Sequence, residues 1–108
     1  MGLRETLEAR LASGHDDAML RLSLAQLCLR ASEWAAARDH AAACLGHDPN
    51  QAAASKTLGK ALEALGDGPG AAAAYRDGIA RARAGGQIQT AREMEVFLRR
   101  LENRLAGS

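Results

Sequence analysis

The chain has 108 residues, 47% of them hydrophobic, with a formal net charge of +1, which suits one domain with a modest core. Near-neutral charge, with one Trp, one Tyr and one Phe, gives neither the basic footprint nor the stacking rings of a nucleic-acid binder, so nucleic acid is not an expected partner. No run approaches the roughly 20 apolar residues of a membrane span and no signal-like apolar block opens the chain, so the expectation is a cytoplasmic protein without a membrane partner.

Apart from Ile79, Ile88 and Val96 there are no β-branched aliphatics, while Ala, Leu, Arg and Glu abound, so the class read from composition is all-α. Leu3, Leu7 and Leu11 recur every fourth residue and describe a short amphipathic helix within residues 1–15, ending at Ser13-Gly14. Met1-Gly2-Leu3-Arg4-Glu5-Thr6 also matches the loose N-myristoylation pattern, but the helix accounts for the same residues without lipid. Asp16 or Asp17 caps a helix from Ala18 to about Ala31, and Ser32-Glu33 form a turn. A second helix follows from Trp34 to about Gly46, with the Trp34 ring sealing the turn.

Pro49 then stops the chain from continuing as helix, and Asn50 is the expected cap of a third long helix reaching Leu65. Gly66-Asp67-Gly68-Pro69-Gly70 follows that helix rather than a strand, which makes it a turn and not a phosphate loop. Pro69 suits the first turn of a helix to about Ala84, where a missing N–H does no harm. After Gly85-Gly86, the apolar series Ile88, Ala91, Met94, Phe97, Leu98, Leu101 and Leu105 marks a helix within residues 87–105. Arg92, Glu93, Arg99, Arg100 and Arg104 lie on its outer side.

Laid against itself at an offset of 34, the chain matches in class rather than identity. Leu24-Ala25 falls on Leu58-Gly59, Cys28 on Leu62, Ala37 on Ala71, Ala41 on Tyr75, Cys44 on Gly78 and Leu45 on Ile79. A helix, turn and helix recurring with this period is the signature of a solenoid. With Ser32-Glu33-Trp34 and Asp48-Pro49-Asn50 in the first copy and Gly66-Asp67 in the second, the pattern resembles the tetratricopeptide repeat family over about two-thirds of the chain. The departures are Arg21 and Ser55 where the family often has Trp, Ala41 in place of a bulky residue, and Arg83 in place of the closing Pro.

The resemblance implies a right-handed α-solenoid of about six helices. An N-terminal half-repeat (1–15) precedes two full repeats (18–51 and 52–85), and a capping helix (87–105) has the polar face that a solenoid end requires. It places Cys28 and Cys44 near opposite ends of one hairpin, so free, mostly buried thiols are expected rather than a disulfide.

The same resemblance gives a concave surface lined by the first helix of each repeat: Met19, Leu22, Gln26 and Leu29, then Ala53, Lys56, Lys60 and Glu63. Met19, Leu22 and Leu29 are expected to form an exposed apolar strip, the mark of an interface. Lys56 and Lys60 are a basic anchor for an acidic segment, or else a solvated face in which Glu63 pairs with Lys60. The family's carboxylate clamp is not carried over, because its asparagines are missing. A protein or peptide partner follows, or a second copy meeting through the apolar strip.

Enzyme chemistry finds no partnered nucleophile and no carboxylate pair set apart from the surface, so no enzyme and no cofactor is expected. The rival of a different class is a metal site at His40, Cys44 and His47, which share one helix face. Cys44 in the small position of the repeat argues for a core cysteine between two surface histidines instead.

Overall fold

A computed structural model describes residues 2–107; Met1, the first residue of the lipidation-like pattern, lies outside them. The helices are α1 (Leu3–Ala12), α2 (Ala18–Arg30), α3 (Trp34–His47), α4 (Ala52–Ala64), α5 (Gly68–Ala84) and α6 (Ile88–Ala106). No strand occurs among the described residues. Both α2 and α4, and both α3 and α5, begin 34 residues apart, so the sequence offset is a physical repeat of two hairpins.

Each helix from α2 onward packs on the next in the chain. In addition α2 touches α4 and α4 touches α6, whereas α3 and α5 do not meet. The first helices of the hairpins therefore form an inner row and the second helices an outer, splayed one. This right-handed stack measures 45 × 30 × 19 Å.

Caps and turns follow local chemistry. Asp17 and Asp67, 50 residues apart in sequence, do the same work: Asp17 Oδ1 accepts from Leu20 N at 2.8 Å and Asp67 Oδ1 from Gly70 N at 2.9 Å. Asn50 does not cap α4. Its side-chain oxygen instead accepts from Arg81 Nη1 at 3.3 Å, its N–H donates to Asp48 Oδ1 at 3.1 Å, and Gln51 occupies the cap position without a side-chain bond. The left-handed residue that closes α4 is Gly66, φ +83°; its counterpart closing α2 is Ser32, φ +60°, a conformation that L side chains adopt at a cost.

The core is made of small residues. Ala25, Ala37, Ala41, Ala54, Ala61 and Ala71 are wholly buried, so the helices approach closely along the stack. The two hairpins solve the same packing position differently. In the first, Ala25 and Ala41 are both small; in the second, Gly59 removes its Cβ to admit the fully buried Tyr75 ring. A Cβ at Gly59 would fall 2.2 Å from Tyr75 Cε1.

The residues that stand where the family often has Trp also diverge. Ser55 is buried beneath Gly78, whereas Arg21 reaches Asp16 at 2.8 and 2.9 Å and donates to His40 Nδ1 at 3.1 Å. On α6, Ala91, Met94 and Leu101 join the α5 core, while Arg92, Arg99 and Arg100 face solvent, as a capping face requires. Ile88 and Leu105, assigned by periodicity to its apolar face, are 40% and 45% exposed because they lie at the two ends of the helix, where Leu105 is covered on one side by Gly68 of α5.

Candidate functional site

The inner row of α2, α4 and α6 is the candidate site. On α2, Met19 is 61% exposed and Gln26 is half-buried. Leu22 is only 7% exposed and packs with Cys44 of α3 and Ala54 of α4. The exposed apolar strip expected across Met19, Leu22 and Leu29 is thus interrupted at its middle, because Leu22 points into the seam where three helices meet. Leu29 is half-buried against the cluster of Cys28, Ala37 and Ala61.

On α4, Ala53 packs beside the Leu22 cluster, and the polar residues face α6. Lys56 Nζ lies 3.4 Å from Glu93 Oε2, and Lys60 Nζ lies 4.6 Å above the centre of the Phe97 ring. Glu63 does not pair with Lys60. It accepts from the Tyr75 hydroxyl at 2.6 Å and from Arg104, which ties α4 to both α5 and α6. Burial and this neighbouring carboxylate hold the Tyr75 phenol well above its ordinary range.

Sequence reasoning missed the α6 contribution. Glu93 and Phe97 stand 37 residues after Lys56 and Lys60, not 34, since α5, at 17 residues against 14 for α3, lengthens the third period. The signal was available: Ala91 and Met94 repeat the spacing of the buried Ala54 and Thr57. A helix assigned only to capping also completes the inner row.

At the turn end of that row lies a hollow of about 350 Å³ lined by Leu29, Arg30, Trp34, Lys60 and Ala64. The half-buried Trp34 opens α3 and forms one wall instead of only sealing the turn. The turn beneath it is held by α1, whose Arg4 binds both carboxylate oxygens of Glu33, one of them at 2.6 Å. That guanidinium holds the Glu33 carboxyl below the usual range.

The three candidate metal ligands do not converge. Cys44 is fully buried, His40 accepts from Arg21, and His47 Nε2 donates to Asp16 Oδ1 at 2.9 Å. Among the described residues no three His, Cys, Asp or Glu side chains come together around a common point for a metal ion. Cys28 and Cys44 are both free and buried, and burial pushes both thiols up.

No protein-family model matches the chain. It is 43% identical over 98 residues to TPR repeat-containing protein PA0015 of Pseudomonas aeruginosa, spanning 91% of this chain and 93% of that protein. The chain belongs to the tetratricopeptide repeat family. The solution structure of protein BPP2914 from Bordetella parapertussis superposes with a TM-score of 0.83 at 39% identity, covering 96% of this tetratricopeptide chain and 90% of the other. Among the described residues no helix is long and apolar enough to cross a membrane.

Proposed function

We propose that this tetratricopeptide protein is a non-catalytic interaction module whose inner face, built by α2, α4 and α6, receives a segment of a partner protein. The observation that supports this reading most is the open state of that face. Met19, Gln26 and Lys60 project from two successive inner helices, while the core is completed elsewhere. Of the residues first assigned to the groove, Met19, Gln26, Leu29, Ala53 and Lys60 remain available to a ligand in this proposal. Lys56 and Glu63 serve chiefly to seat α6, and Leu22 belongs to the core. Two free thiols suit a reducing compartment, so the cytoplasm is the proposed location.

The test is capture of partners from native lysate on immobilised protein, with Met19→Glu/Lys60→Glu as the groove variant and Arg81→Ala, on the outer helix α5, as the control. The control should retain the captured set and the groove variant should lose it. Retention of the full set by the groove variant, with an unchanged melting curve, would refute the site. Loss of the apolar strip also removes the basis for a dimer through Met19, Leu22 and Leu29, and light scattering is expected to show no concentration-dependent dimer.

A further inference from the structure

The hollow at Trp34 joins two cations without carboxylate partners to an apolar lining. Neighbouring ion pairs are closed: Arg4 with Glu33, Lys56 with Glu93, and Arg104 with Glu63. Arg30 and Lys60, which border the hollow, have no carboxylate partner among the described residues, and Lys60 meets only the face of the Phe97 ring. Leu29, Ala64 and the Trp34 ring complete the lining, an apolar floor large enough for one leucine- or phenylalanine-sized side chain. Glu33 and Glu63, each three residues after one of these cations, are engaged with Arg4 and with Arg104 and Tyr75 instead.

We propose that the Trp34 hollow is the anchor subsite for an acidic peptide segment, holding one large apolar side chain of the segment against Trp34 while flanking carboxylates meet Arg30 and Lys60. This rests on the interaction-module reading and refines it. The anchor moves from the expected strip on Met19, Leu22 and Leu29 to the turn end of the groove, where the apolar floor and the cations coincide. Desolvated apolar contact supplies most of the affinity, and the exposed cations supply encounter rate and selection. Because α1 clamps the turn through Arg4 and Glu33, Trp34 is preorganised, which lowers the entropic cost of binding.

Trp34 is the single tryptophan of the chain, so its emission reports this hollow alone. The probe is a fluorescein-labelled, Trp-free decapeptide with one leucine among glutamates and aspartates. It is compared with a version carrying glutamine and asparagine in place of the acids, and with one carrying serine in place of the leucine. Fluorescein anisotropy reports binding anywhere on the protein; Trp34 emission, read with unlabelled peptide, reports occupancy of the hollow.

The acidic leucine peptide should raise anisotropy and shift Trp34 emission with the same midpoint, and both substituted peptides should bind at least tenfold more weakly. Arg30→Glu/Lys60→Glu should weaken binding at least tenfold while the helical fold is retained by circular dichroism, and Arg30→Lys should retain most of it. Binding seen by anisotropy that leaves Trp34 emission unchanged and is indifferent to Arg30→Glu/Lys60→Glu would overturn the hollow while leaving a groove elsewhere intact. Equal binding of the acidic and neutral peptides would overturn the role of the cations. No binding of the acidic peptide at millimolar concentration would overturn the anchor, whatever the lysate capture returns.

Discussion

Replacing Gly59 with alanine tests the packing of the second hairpin directly. In an exposed helix the change would add about 1 kcal/mol of stability from backbone propensity. Here the new Cβ would lie 2.2, 2.5 and 2.6 Å from three carbons of the Tyr75 ring, distances at which something must shift. The ring has little freedom to yield. It is fully buried, its hydroxyl is bonded to Glu63 at 2.6 Å, and the Phe97 ring stands 6.0 Å from it.

Overpacking of this kind costs about 1–3 kcal/mol, so with the clash near the upper end the net loss should be about 1–2 kcal/mol. Gly46, in α3, is the internal control, since a Cβ there meets nothing within 4 Å and Gly46→Ala should gain about 1 kcal/mol from propensity alone. Urea denaturation of both variants gives the comparison. The first hairpin, with Ala25 and Ala41 at the matching positions, supplies the second half of the test. In a Tyr75→Ala background Gly59→Ala should change sign and become stabilising, a coupling of about 2–3 kcal/mol in the double-mutant cycle. Equal gains from Gly59→Ala and Gly46→Ala in the otherwise wild-type protein would show that α4 and α5 do not approach as described. Gly59→Leu, larger still, should be worse than alanine.

Ser32→Gly relieves the left-handed serine that ends α2 and should raise stability by about 0.5–1 kcal/mol, seen as a melting temperature a few degrees higher; a decrease would refute the assigned turn. Burial and the neighbouring Arg21 cation hold the His40 imidazole below its ordinary pKa, so the unfolded chain takes up its proton first as pH falls. Stability from this source is present above about pH 6.5 and declines below it, and urea midpoints at pH 7.5 and 5.5 should differ less in His40→Gln than in wild type. Cys28 and Cys44 should resist a thiol reagent in native buffer and react together on unfolding, because both are shielded and both thiols are held protonated by burial. Rapid native labelling of either would contradict their placement.

What the sequence determined by itself was the part of the structure governed by local rules. Helix identity followed from composition and spacing, the ends from Asp17, Pro49, Gly66 and Gly85-Gly86, and the fold from a 34-residue period that recurs in the starts of α2 and α4 and of α3 and α5. These signals are local or periodic, and a single chain displays them without knowledge of what lies beside it.

The tertiary structure decided which side of each helix was open. Periodicity could not distinguish Leu22, turned into the seam between α3 and α4, from Met19, one turn earlier and exposed, since both fall on the same helical face within a small rotation. Nor could sequence spacing foresee that Glu63 would turn to Tyr75 and Arg104 rather than to Lys60, or that a lengthened third period would set Phe97 under Lys60. Long polar side chains choose among partners brought close only by packing. The meeting of the unpaired cations Arg30 and Lys60 with the apolar floor of one hollow therefore exists only in three dimensions.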